Sequence, residues 1–178
     1  MQPIIYDVAV SADGFIAGPN NDVSQFPHQG AVVDDYTARL ATYATCLMGR
    51  RTYEFGYAYG LQAGQNPYAN MDSYVISGSI ELPADSVVQV IRQKVRNAVT
   101  DLRQTSAGPI YLCGGGALAG WMLRHGLIDI LRLKRAPILL GQGVRLWGDE
   151  AADISVKLVD SRAYPDGIFF QEFRLDTA

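Results

Sequence analysis

Apolar and polar positions along this chain switch repeatedly between the period of a strand and the period of a helix. The run IIYDVAVS (Ile4 to Ser11) is short, rich in β-branched residues and closed by Asp13-Gly14, so it predicts a strand leading into a loop. From Gly14 to about Val32, GPNN, Pro27 and Gly30 predict a long loop, and such loops in a compact domain usually carry function or are disordered. Next, Tyr36, Leu40, Tyr43 and Ala44 recur at helical spacing behind Asp34 and Asp35, two acids that suit a helix N-terminus. TCLMG (Thr45 to Gly49) predicts a brief buried strand, and RRTYEFGY opens a helix that glycines soon end.

The alternation continues through the middle of the chain. DSYVIS (Asp72 to Ser77) and SVVQVI (Ser86 to Ile91) predict strands. RQKVRNAVTDLRQ places Val95, Val99 and Leu102 on one face, which predicts an amphipathic helix covering a sheet. PIYLCGGG then reads as strand, turn and helix start, with the helix ending near Gly126. LIDILRLKRAPILLG (Leu127 to Gly141) is a further strand region, in which Pro137 implies a bulge or a sheet edge. Last, ISVKLVDSRAY and IFFQEFRL flank Pro165-Asp166-Gly167, a strong turn signal, and predict a terminal antiparallel hairpin. The sum is a three-layer α/β/α fold: a mostly parallel sheet, helices on both faces and an antiparallel pair at the end.

Composition narrows the function classes. A chain of 178 residues with 48% hydrophobic and 19% charged residues predicts one globular domain over residues 1–178. Fifteen basic against 18 acidic residues give a net charge of −3, which argues against a general nucleic-acid or anionic-membrane partner. No window approaches the roughly 18 apolar residues of a membrane span, and no secretory signal opens the sequence, so a cytoplasmic protein is expected. Cys46 and Cys113 belong to no metal-binding spacing and are expected as small buried hydrophobes; His28 and His125 are isolated, and no metal site is expected.

Two corners suit anions. In GRRT, Gly49 permits close approach while Arg50, Arg51 and Thr52 place two cations and a hydroxyl at the first turn of a helix. The same residues could equally be solvated charges with Thr52 as a cap. In CGGGALAG, Gly114, Gly115 and Gly116 follow an apolar strand and open a helix beginning Ala117-Leu118, a backbone that can pass close to a ligand or simply make a tight turn. Two such corners in one small domain imply a ligand with more than one phosphate, of dinucleotide size. SGS, at the end of another strand, adds small hydroxyl donors or an ordinary polar turn.

SADGFIAG, LMGRRTYE, YVISGS, IYLCGGGALAGWML and GLIDILRLKRAPILLGQGVRLW, in this order and spacing, resemble the dihydrofolate reductase superfamily. Within it, the chain is most similar to the reductase domain of the bifunctional riboflavin-biosynthesis deaminase-reductase and its stand-alone relatives. The resemblance covers nearly the whole chain and implies a dihydrofolate reductase-like fold and hydride transfer from NADPH. Matched residue by residue, it implies Arg50 at the 2′-phosphate, Arg51 and Thr52 at the pyrophosphate, and Ser77 and Gly78 on the adenosine side. Gly114 to Leu118 would form the second pyrophosphate wall, with the Gly114-Gly115 backbone near the nicotinamide. Ala9 and Ile16 would position the carboxamide through their backbones.

Substrate and proton source are less constrained. Dihydrofolate reductase grips its pterin with a carboxylate on the first helix, and Asp34 and Asp35 lie near that position, although their spacing to MGRRT differs and they also suit a helix cap. Asp13, in the SADG loop, is another candidate for substrate contact or proton supply. The chain lacks the H-x-E and P-C-x-x-C zinc pattern of a deaminase, so the expected substrate is a small heterocyclic or ribosylamino compound such as 5-amino-6-(5-phosphoribosylamino)uracil. Dihydrofolate is the alternative substrate, and an NADP-binding oligomeric protein without catalysis is a third reading. Tyr57, Tyr59 and Tyr68 are expected to pack rather than to stack on a ligand. A homodimer is expected because relatives of this kind often pair through the sheet edge and terminal strands.

Overall fold

The computed structural model describes residues 1–150 and 153–176. In chain order the elements are β1 (Ile4–Ser11), β2 (Phe15–Ala17), α1 (Ala31–Leu40), β3 (Thr45–Gly49), α2 (Arg50–Phe55), β4 (Asp72–Ile76) and β5 (Gln89–Ile91). They continue with α3 (Val95–Thr105), β6 (Ile110–Gly114), α4 (Gly116–Arg124), β7 (Ile130–Ala136), β8 (Val144–Arg145), β9 (Val156–Ala163) and β10 (Phe169–Leu175). Eight strands form one sheet in the order β5-β4-β3-β6-β1-β7-β10-β9, and β2 and β8 form a small separate pair. The strands from β5 to β7 run parallel, while β10 is antiparallel to both β7 and β9.

The period-two alternation of β1 explains the layers, because successive side chains leave a strand on opposite faces. Ile4, Tyr6 and Val10 enter one core with Val99 of α3 and Ala119 and Met122 of α4. Ile5 enters the other with Cys46, Met48, Tyr111 and Tyr53 of α2, and Tyr36 and Leu40 of α1 pack against it. A mostly parallel sheet thus lies between helices, and the predicted terminal hairpin closes it.

Three local expectations are revised. The helix expected behind Asp34 starts three residues earlier, at Ala31. Gly30, at φ 101°, makes the turn into it and accepts the N–H groups of Val33 and Asp34, so the two acids lie within the helix and not at its cap. The strand expected over SVVQVI keeps only Gln89–Ile91; before it, the Ser86 hydroxyl bonds the Val88 backbone in a local turn. Pro137 marks neither a bulge nor an edge. β7 is an interior strand between β1 and β10, and its pairing with β1 ends at Ser11 opposite Ala136, so the missing N–H falls past the last rung. The long first loop is ordered in part as β2 and a 3-10 turn at Pro19–Asn21. No helix among the described residues is long and apolar enough to cross a membrane.

Candidate active site: two cavities across one glycine

β3 and β6 are parallel neighbours, and each runs straight into a helix, so the first turns of α2 and α4 open at the same end of the sheet. Between them lies a cavity of about 530 Å³. Gly49, Arg50, Arg51, Thr52 and Phe55 line one side and Gly115 to Leu118 the other, with Ile76 from β4 and Ile16, Ala17 and Val144 from the β2–β8 pair. The first backbone N–H groups of α4 have no partner within the helix, which favours an anion there. Arg50 stays 3.9 Å from Glu54 one turn on, and Arg51 has no ion-pair partner among the described residues.

The glycines are needed for separable reasons. Gly114, at φ 111°, adopts a backbone that L side chains disfavour. Gly115 has ordinary angles, and a Cβ there would lie 3.2 Å from Thr52 Oγ1, in the cavity. Gly116 packs on the segment after β8, where a Cβ would collide with the Arg145 carbonyl. The Gly114-Gly115 peptide is cis.

A second cavity, of about 330 Å³, lies on the other side of Gly114: Cys113 lines it, whereas Gly115 lines the first. Its walls are Asp7 and Ala9 of β1, Val33 and Tyr36 of α1, Tyr111 of β6 and Lys134 of β7. Asp7 is the anchor. Its Oδ1 accepts from Lys134 Nζ at 2.6 Å, and its Oδ2 accepts from Arg39 Nε at 2.8 Å and the Tyr43 hydroxyl at 3.1 Å. Arg132 donates to the Tyr43 oxygen at 2.9 Å and to Glu172 at 2.6 Å, extending the network to β10. The Tyr36 and Tyr111 hydroxyls bond each other at 2.6 Å.

Burial alone would raise the Asp7 pKa, but the Lys134 and Arg39 charges overcome it and hold the carboxyl below its usual range. Burial pulls Lys134 down to about 8, against the opposing pull of Asp7. Cys113 is drawn to about 7, first by its hydrogen bond with Cys46 and against burial, while burial pushes Cys46 up. Cys46 is buried as expected, but Cys113 is a cavity-lining thiol.

Of the residues singled out in the sequence, Ile16, Gly49, Arg50, Arg51, Thr52 and Gly115 to Leu118 meet around the first cavity, and Gly114 lies between the two. Ala9 faces the second. Ser77 and Gly78 follow Ile76 but line neither; the Ser77 hydroxyl accepts the N–H groups of Ser79 and Ile80 and closes a turn. The three candidate acids also line neither. Asp13 accepts from Ser11 Oγ at 2.6 Å and from the N–H groups of Gly141 and Leu140, tying two loops together. Asp35 accepts from Arg162 and the Tyr164 hydroxyl, each at 2.6 Å, and so fastens α1 to the hairpin. Asp34 is exposed. The helix turn that does face the second cavity presents Val32, Val33 and Tyr36. Tyr68 packs with its hydroxyl 3.4 Å from Cys113 Sγ, whereas Tyr59 is 71% exposed.

Asp7 and Lys134 escaped the sequence reading. The signal was present, since Asp7 is an acid in the middle of an apolar strand and a buried carboxylate requires a cation. Which cation could not be read, because Lys134 lies 127 residues away.

The RibD C-terminal domain family matches residues 2–170. The chain is 28% identical to the uncharacterized protein YyaP of Bacillus subtilis over 177 residues, covering 93% of this chain and 90% of that one. A putative riboflavin biosynthesis protein from Shewanella sp. PV-4 superposes with a TM-score of 0.82 at 24% identity, covering 99% of both chains. A diaminohydroxyphosphoribosylaminopyrimidine deaminase/5-amino-6-(5-phosphoribosylamino)uracil reductase of Thermotoga maritima gives 0.75 at 18% identity, over 98% of this chain and 56% of that one. The architecture is dihydrofolate reductase-like.

Proposed function

Since this chain belongs to the RibD C-terminal domain family, we propose that it is an NADPH-dependent reductase that transfers a hydride to a small heterocyclic or ribosylamino substrate. The observation that carries the reading is the first cavity, where two arginines and a hydroxyl face a glycine-built helix start. Those residues fit a dinucleotide: Arg50 suits the 2′-phosphate, and Arg51, Thr52 and the α4 N–H groups suit the pyrophosphate. Bound there, NADPH supplies the hydride. Ile16 lines this cavity and Ala9 lines the second, which holds the acceptor.

The reductase activity named for the Thermotoga protein supports 5-amino-6-(5-phosphoribosylamino)uracil as the acceptor. Dihydrofolate has less support, because Asp7, the one carboxylate lining the second cavity among the described residues, already binds two cations and a tyrosine. The exposed apolar side chains of edge strand β9, Val156, Leu158 and Val159, support a homodimer, for which light scattering at two protein concentrations is the check. The cofactor is tested by titrating NADPH and NADH against Trp121 and Trp147 fluorescence. NADPH is expected to bind the wild type more tightly, and equal affinities would end the reading.

A further inference from the structure

The second cavity contains a cation that cofactor binding does not use. Lys134 stands on β7 opposite Ala9 of β1 and Phe170 of β10, with its side chain 10% exposed. Its Nζ lies 3.5 Å from the centroid of the Tyr36 ring. An ammonium has three N–H donors, and the bond to Asp7 is the one hydrogen bond that this Nζ makes among the described residues, so a donor remains for a ligand in the cavity. Asp7 with Lys134 and Arg39 sums to one net positive charge, so the cluster attracts an electron-rich acceptor atom and repels a cationic one.

Resting on the reductase reading, we infer that Lys134 is the catalytic residue that gives the proton accompanying hydride transfer, to the imine nitrogen or carbonyl oxygen of a small substrate in this cavity. The balance closes on named atoms. The electrophilic carbon of the C=N or C=O group gains the hydride and its electron pair, leaving NADP⁺. The π pair of that bond moves to the nitrogen or oxygen, which takes a proton from Nζ. The neutral amine of Lys134 then regains a proton from water.

Burial and Asp7 together leave this lysine charged at neutral pH yet near its release point. The groups around it are Asp7 on β1, Tyr36 and Arg39 on α1, Tyr111 and Cys113 on β6, and His28 from the preceding loop; Phe170 of β10 stands opposite it, and Tyr43, Arg132 and Glu172 of β10 continue the network from Asp7. Among them Cys113 titrates in a neighbouring range, at about 7, and is the one to be separated from Lys134.

The test uses the full chain with NADPH and three probes: an aldehyde, a cyclic imine and 5-amino-6-(5-phosphoribosylamino)uracil. For any probe reduced, kcat/KM of the wild type is expected to fall above about pH 8, because the donor must be protonated, and Cys113→Ala is expected to keep that fall. Lys134→Met and Lys134→Arg should each lower kcat by at least about 100-fold, with NADPH affinity unchanged. Asp7 keeps Arg39 and Tyr43 in both variants, and Arg retains the charge while holding its proton above about pH 12. In protein carrying ¹³Cε-lysine, which has three lysines, the signal lost in Lys134→Met should titrate near pH 8. Turnover surviving in Lys134→Met, rescue by Lys134→Arg, or a Lys134 signal titrating at the ordinary value of about 10 overturns the proposal alone. Failure to bind NADPH, or no oxidation of it with any probe, overturns the reductase reading, and this proposal with it.

Discussion

The two cavities, lined by Gly115 and by Cys113 on either side of Gly114 in the chain, are built in opposite ways. The first lies between two strand-to-helix turns that contribute glycines and free N–H groups beside apolar side chains such as Phe55, Ile76 and Leu118, and its cations are exposed side chains at the rim. The second is walled by side chains from β1, α1, β6 and β7, and its charges are buried and paired. Backbone walls tolerate change in the surrounding side chains but no added Cβ at the point of contact. Side-chain walls behave in reverse, since each buried charge depends on its partner. The contrast suits a common cofactor on one side and a particular acceptor on the other.

Removing the anchor of the second cavity should have the largest effect. Asp7→Ala should cost about 3–5 kcal/mol of stability, because it leaves buried cations without their carboxylate. Replacing the more deeply buried cation as well, as Asp7→Leu with Lys134→Met, should recover part of the loss by thermal melting, Arg39 being left without its carboxylate. The sign with pH follows from the depressed carboxyl. Its folded pKa lies below the unfolded one, so its contribution is present above about pH 4 and is lost as pH falls through the folded value. Asp7→Asn should flatten that acid limb.

Arg50→Ala tests the rim of the first cavity. It should weaken NADPH binding by about 1.5–3 kcal/mol, the worth of a charge-assisted contact, and leave the melting temperature near that of the wild type. Adjacent glycines then separate folding from binding. Gly116→Ala meets the Arg145 carbonyl and should lower stability by about 1–3 kcal/mol, an overpacking cost readable by denaturant unfolding. Gly115→Ala meets only the Thr52 hydroxyl and the cavity, so it should fold normally and bind NADPH about tenfold more weakly, equivalent to about 1.4 kcal/mol. A Gly115→Ala protein with unchanged affinity would remove these glycines from the cofactor site.

The same contrast decides what could be read in advance. GRRT and CGGG are contiguous, and the chemistry of a phosphate corner resides in consecutive residues, so most of the first cavity was legible. So were the strand and helix order and the terminal hairpin, which follow from local periodicity. Local spacing was misleading where a turn residue outranked it. Gly30 starts α1 early and places Val32, Val33 and Tyr36, not Asp34 and Asp35, toward the second cavity. Asp13 was a reasonable candidate by position, but three donors close around it and make it a clasp between loops. The Asp7–Lys134 pair was beyond reach because adjacency of β1 and β7 is a property of the sheet order and not of any window of sequence.

That sheet order also governs how the chain can be made. β1 precedes the other described strands in the chain and lies in the interior of the sheet, paired on one side with residues 110–112 and on the other with residues 130–136. A nascent chain therefore carries this apolar strand without a sheet neighbour until β6, more than 100 residues further on, has left the ribosome. Contacts of such long sequence separation form slowly, and an unpaired apolar strand is a target for aggregation or for a chaperone in the interval. The residue that interrupts IIYDVAV in that waiting strand is Asp7, whose charge opposes self-association of β1 before it serves the finished cavity.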